Sequence, residues 1–241
     1  MKILEVKNLV LKYPVYTNPK RSLKNKIINI SFAGKINKDE NTTYIQAIDG
    51  ISFDVNYGDK IGIIGGNGSG KTTLLRSIMG IYEPISGSIL CKEKITSLIN
   101  IELGIDEDAT GYENIFLRGL VLNVTKKKIE EIIPSIEEFS ELGEYLNFPV
   151  RTYSSGMKVR LAFSILIALE PKMILMDEWL SLGDKSFKEK ASKKLNEIIS
   201  KASCLIIASH DYGQLQKICN RIIHIEKGKI VNEIKPEELK I

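Results

Sequence analysis

A chain of 241 residues, 43% hydrophobic and 27% charged, has the make-up of a soluble globular protein with material for a sizeable core, and disorder as the main state is excluded. Its 34 basic and 30 acidic residues leave a net charge of +4, too mild to argue for nucleic acid. With Lys2, Glu5, Lys7 and Lys12 near its start the chain is expected to carry no secretory leader, and the longest uncharged apolar stretch, Leu161 to Leu169, is roughly half the ~20 residues that span a bilayer.

In chain order, residues about 14 to 45 form a polar excursion rich in Asn and Lys, with Lys20, Arg21, Lys24 and Lys26. Leu23, Ile27 and Ile30 have helical spacing there, so the stretch reads either as a short basic amphipathic helix or as a solvated surface segment. Ile51 to Val55 alternates with period two, as a half-exposed strand does. After a turn at Asn56 to Asp59, a second strand is expected over Lys60 to Ile64, then a glycine-rich loop and a helix from Thr72 to Met79. Residues about 104 to 168 show helical patterns and no strand, which predicts a helical subdomain inserted into the sheet domain. Met173 to Met176 and Leu205 to Ala208 are continuous apolar runs, the pattern of strands buried on both faces. Ile222 to Ile225 and Lys229 to Val231 flank Glu226-Lys227-Gly228 as a hairpin. Three scattered cysteines, Cys91, Cys204 and Cys219, fit no metal or redox spacing and imply a reducing, cytosolic compartment. Such alternation predicts an α/β fold with a largely parallel core sheet.

Gly65, Gly66, Asn67, Gly68, Ser69, Gly70, Lys71 and Thr72 fit G-x-x-x-x-G-K-[ST] between a strand and a helix. Glycines let successive backbone N–H groups converge on one concavity at a helix N-terminus, where an anion is favoured. Lys71 adds a full charge for the β and γ phosphates, and the Thr72 hydroxyl is a hard oxygen ligand for Mg²⁺. The strand from Met173 ends in Asp177 and Glu178, which places Asp177 to meet Mg²⁺ through water and Glu178 to polarise a water for attack. His210 ends the strand from Leu205 at the same edge and is a candidate γ-phosphate sensor, whereas His224, inside what is expected to be an edge strand, is assigned no role.

One further segment sets the class. Tyr153, Ser154, Ser155, Gly156, Met157 and Lys158 precede a helix over Val159 to Leu169. Together with the glycine loop, the acidic pair and the histidine, they resemble the signature of ATP-binding-cassette ATPases, usually written LSGGQ. The resemblance covers nearly the whole chain. It implies one cassette over residues 1–241, with a mainly parallel core sheet, an antiparallel β subdomain and the helical insert at about 104 to 165. It also implies ATP and Mg²⁺ as cofactors. Nucleotide contacts would then come from Gly65 to Thr72, from Thr73, and from Ser154, Ser155 and Gly156 of the opposite protomer of a homodimer. Tyr13 is the best match for the aromatic that stacks on adenine, with Tyr16 second. Ser181 to Asp184 match the loop at the dimer interface, and Glu102 stands where most members carry a glutamine that contacts Mg²⁺ and the permease.

The departures from LSGGQ, the run Asp177-Glu-Trp-Leu-Ser-Leu-Gly-Asp184 and Glu102-Leu103-Gly104 resemble the branch that exports polysaccharides. That branch implies a separate membrane permease, which would handle the lipid-linked glycan, and a peripheral position on the cytoplasmic face of the inner membrane. O-antigen is the first expectation, capsule the second and teichoic acid the third. No nucleic-acid partner and no C-terminal carbohydrate-binding domain are expected. An importer, a soluble cassette protein and a regulator without turnover are the other readings.

Overall fold

The computed structural model describes residues 1–15, 35–39, 42–99, 101–102, 104–179 and 185–239. Two compact units divide them: Met1–Ile95 with Met173–Trp179 and Ser203–Ile241, and Thr96–Lys172 with Leu180–Ala202.

The chain enters the first unit through strands β1 (Lys2–Val15), β2 (Lys35–Asp39), β3 (Thr42–Asn56) and β4 (Lys60–Ile64), helix α1 (Lys71–Ile78) and β5 (Ser86–Cys91). Short β6 (Ile95–Ser97) crosses the unit boundary, and helices α2 (Gly111–Val121), α3 (Lys126–Ser140) and α4 (Ser155–Ala168) follow in the second unit. β7 (Met173–Asp177) belongs to the first unit and α5 (Lys185–Lys201) to the second. β8 (Cys204–Ala208), α6 (Tyr212–Ile218), β9 (Arg221–Glu226) and β10 (Lys229–Ile234) complete the first.

Two sheets build the first unit. One is antiparallel, in the order β2-β3-β1-β5. In the other, β9, β4, β8 and β7 run parallel in that order, and β10 joins β9 as an antiparallel hairpin. The apolar runs of β4, β7 and β8 are buried almost without interruption, as strands covered on both faces must be. Ile61, Ile63, Leu175 and Ile206 have no exposed surface.

The strands exceed the sequence expectation, which names none at β2, β5 or β6. The strand expected from Ile51 is only the end of β3, which starts at Thr42, and β1 has no counterpart in the sequence pattern. Register shifts interrupt the β1–β3 ladder at four places, and Asn8 turns left-handed at φ 44°. Each bulge resets the period-two pattern, so alternation survives only in short pieces. Within the polar stretch at about 14 to 45, residues 35–39 and 42–45 are strand. The helical spacing at Leu23, Ile27 and Ile30, together with Tyr16, lies outside the described residues.

In the second unit, Thr110 and Glu113 close a capping box at the start of α2, Thr125 caps α3, and α3 ends on left-handed Glu141 at φ 56°. Ile115, Ile129, Ile136, Leu161 and Ile165 form its core with Tyr153, whose hydroxyl donates to the Tyr145 carbonyl at 2.5 Å. Burial pushes the Tyr153 phenol up to about 12. Room for that hydroxyl comes from Gly111, where a Cβ would stand 2.6 Å from it and 3.0 Å from Leu146 Cα. Gly111→Ala is therefore expected to cost about 1–3 kcal/mol through overpacking, read as a lower denaturation midpoint in urea; an unchanged midpoint would show that Tyr153 moves aside freely.

Candidate functional site: a phosphate cradle at the ends of parallel strands

Parallel strands all point the same way, so the loops leaving their C-terminal ends collect at one edge. β4 feeds the glycine loop, β7 delivers Asp177 and Glu178, and β8 delivers Ser209 and His210. The register fixes their level: Asp177 pairs with Ala208, and Ala208 with Ile63. A cavity of about 560 Å³ opens there, lined by Tyr13, Ile45, Ala47, residues 67–73, Asp177, Glu178 and His210.

Gly70, the residue before α1, has φ 109°, and a Cβ there would stand 2.6 Å from the Ala47 carbonyl. Only glycine allows that turn and that approach together. Lys71 is buried and folds back on the loop, its ammonium donating to the Gly65 and Gly66 carbonyls at 2.8 and 3.3 Å. It lies 3.4 Å from His210 Nε2. Burial pushes the ammonium below the ordinary lysine range, and the Asp177 and Glu178 carboxylates oppose that. The Ser69 hydroxyl is buried and has no partner. A buried donor without an acceptor is costly, and a triphosphate oxygen is the kind of acceptor this loop could hold. The cradle therefore fits a nucleoside triphosphate.

Glu178 leaves β7 at φ 67°, its N–H donating to the Ala208 carbonyl at 2.8 Å. One carboxylate oxygen, Oε2, accepts from Ser209 Oγ at 3.0 Å, and Oε1 lies 3.9 Å from His210 Nε2. Tyr13 meets Tyr82 edge to face at a centroid distance of 5.3 Å, with its hydroxyl 3.5 Å from Thr73 Oγ1. Among the described residues no group of three or more His, Cys, Asp or Glu could hold a metal ion. Mg²⁺, by contrast, is usually held by one or two carboxylates together with substrate phosphates and water, and the cavity offers Asp177 and the Thr72 hydroxyl for that mode.

The remaining sequence-derived candidates belong to the second unit. Ser154 caps α4, its hydroxyl accepting from the Met157 N–H at 3.3 Å, and Ser154 and Ser155 are exposed. Glu102 is exposed beside Ile101, whose carbonyl accepts from Arg118. Asp184, Leu103 and the rest of the segment at 180–184 lie outside the described residues.

Two contributors to the site carry no motif. Ser209 is legible in the sequence only as the neighbour of His210. Gly228, in the turn between β9 and β10, donates its N–H to the Ser69 carbonyl at 2.9 Å and accepts from the Asp49 N–H at 2.8 Å. It thus buttresses the loop from behind, at φ 77° and against the Ala47 carbonyl. No local signal announces a contact between residues so far apart in sequence.

Glycine loop, buried lysine and paired carboxylates at the ends of parallel strands define a P-loop nucleotide-binding protein. The profile of the ABC transporter family matches residues 48–181. Over 235 residues the chain is 41% identical to the O-antigen export system ATP-binding protein RfbE of Yersinia enterocolitica, covering 97% of this chain and 98% of that protein. It is 38% identical over 227 residues to the teichoic acids export ATP-binding protein TagH of Bacillus cereus, a match that spans 94% of this chain but only 40% of that longer protein. A solved ATP-binding subunit of an ABC transporter superposes with a TM-score of 0.71 at 19% identity, covering 97% of this chain and 90% of the other. A dimeric ATP-binding cassette in a post-hydrolysis state with ADP and Pi gives 0.69 at 19%, covering 98% and 100%. At such identity these two speak for the fold alone. The chain belongs to the ABC transporter family.

Proposed function

We propose that this chain is the ATP-binding and ATP-hydrolysing subunit of a system that exports a lipid-linked polysaccharide, with O-antigen the first candidate. The observation that carries the reading is its near full-length similarity to RfbE. A teichoic-acid glycan is the second reading, favoured by the similarity to TagH.

Each residue at the strand ends then has a task. The loop amides and Lys71 bind the β and γ phosphates, and Tyr13 flanks the adenine. Thr72 and Asp177 would hold Mg²⁺, with Glu102 a further candidate, and the ion would supply charge neutralisation along the phosphates. Glu178 takes the proton of the attacking water, and His210 contacts the γ phosphate. Ser154, Ser155 and Gly156, at the N-terminus of α4, complete the site of a second copy in a two-fold homodimer, with Asp184 at its interface.

Among the described residues no helix is long and apolar enough to cross a membrane. The similarity to the ATP-binding protein of an export system supports a separate permease for the membrane step, with this chain at the cytoplasmic face. A cavity of about 540 Å³ lined by Asp106, Asp108, Ala109, Glu113, Phe116 and Leu117 offers exposed carboxylates at its rim beside apolar side chains. Cytoplasmic permease loops are rich in Lys and Arg, which suits that rim. Reconstitution with the permease in proteoliposomes tests the reading. ATP should drive a lipid-linked O-polysaccharide across the bilayer; hydrolysis without movement of any lipid-linked glycan would overturn it.

A further inference from the structure

We propose that Ser209 is a positioning residue for Glu178: its hydroxyl proton is committed to Oε2, which leaves Oε1 to face the attacking water. The inference rests on the reading of Glu178 as the general base.

Ser209 follows β8 directly and is 1% exposed. Its N–H donates to the Ile63 carbonyl at 3.2 Å, which ties it to β4. A hydroxyl has one proton to donate and two lone pairs. One lone pair is taken by the Asp211 N–H, 3.1 Å away. Water has little access to so buried an oxygen, and the proton points to Glu178 Oε2 at 3.0 Å.

The constraint matters because the Glu178 side chain is half exposed. A glutamate in that setting would sample several rotamers, and a general base must stay within hydrogen-bond reach of the proton it takes. Glu178 is held at two points, by its own N–H on the Ala208 carbonyl at 2.8 Å and by Oε2 on Ser209. Oε1, 3.9 Å from His210 Nε2, lies beyond hydrogen-bond distance of that ring and is the oxygen left for water. Ser209 thus acts through Glu178 and selects which oxygen works.

The test uses the purified full-length chain, with single-turnover ATP hydrolysis and nucleotide affinity measured separately. A hydrogen bond to a charged group is strong enough that its loss should lower the hydrolysis rate about tenfold in Ser209→Ala, with ATP affinity unchanged. Ser209→Thr keeps the hydroxyl and should restore most of the rate. In a Glu178→Gln background the alanine substitution should change the rate less than about twofold, because two residues acting as one unit are not additive. Should the alanine variant fail to fold, Ser209→Cys, which replaces the hydroxyl with a weak donor, should show the same loss of rate at unchanged affinity. A wild-type rate in Ser209→Ala, or equal impairment of the alanine and threonine variants, would overturn the inference. Full hydrolysis in Glu178→Gln alone would instead remove the base reading beneath it.

Discussion

Replacing Glu178 with Gln is expected to lower ATP turnover by roughly 10²-fold or more, the range typical of losing a general base, while ATP still binds. The substitution keeps shape and removes the charge that can take a proton. The Ser209 hydroxyl can still donate to an amide oxygen, more weakly than to a carboxylate, so the side chain should keep its tether at the oxygen that replaces Oε2. The cradle proposed for the phosphates is the 67–73 loop, and Glu178 lines the same cavity from the end of another strand. Binding and chemistry should therefore separate, and an ATP-bound dimer should accumulate. Equilibrium nucleotide titration beside single-turnover hydrolysis checks this. Unchanged hydrolysis would leave Glu178 as an ordinary surface carboxylate.

The parts of this site that the sequence discloses are those whose physics is local. A glycine loop between strand and helix, and a continuous apolar run ending in two acids, each carry their meaning within about ten residues, and the structure puts Gly70, Lys71, Asp177, Glu178 and His210 around one cavity or its rim. What stays hidden is long-range. Strand β1 is interrupted by bulges that erase its alternation, so only its pairing with β3 and β5 defines it. The Gly228 contact with Ser69 joins a terminal hairpin to a loop early in the chain. Ser209 stands beside a residue that the sequence singles out, but nothing in a serine's neighbours says that it will be buried with its proton aimed at Glu178. The roles of Glu102, Ser154, Ser155 and Gly156 depend on a second copy and a permease, and so they are proposals resting on the family.

Lys71→Ala should abolish tight ATP binding. The ammonium is buried, and truncating one partner of a buried charge pair costs about 2–5 kcal/mol, or roughly 30- to several-thousand-fold in Kd. The Gly65 and Gly66 carbonyls that it now holds would also lose their donor. Wild-type affinity in the variant would sink the assignment of the loop. The same variant reports on the second copy. A single cradle leaves one side of the γ phosphate open to water, and phosphoryl transfer needs donors there as well. If Ser154, Ser155 and Gly156 supply them across the dimer, a Lys71→Ala chain mixed with a Ser154→Arg chain forms dimers with one site broken twice and one intact. Occlusion of one ATP per mixed dimer is expected, even where turnover needs both sites. Because Ser154 also caps α4, Ser154→Arg gives up about 1 kcal/mol of helix stability, and its melting curve must show a folded chain at the assay temperature. Were the signature to serve the loop of its own chain, every site would carry a lesion, and the mixture would occlude no more ATP than its parents.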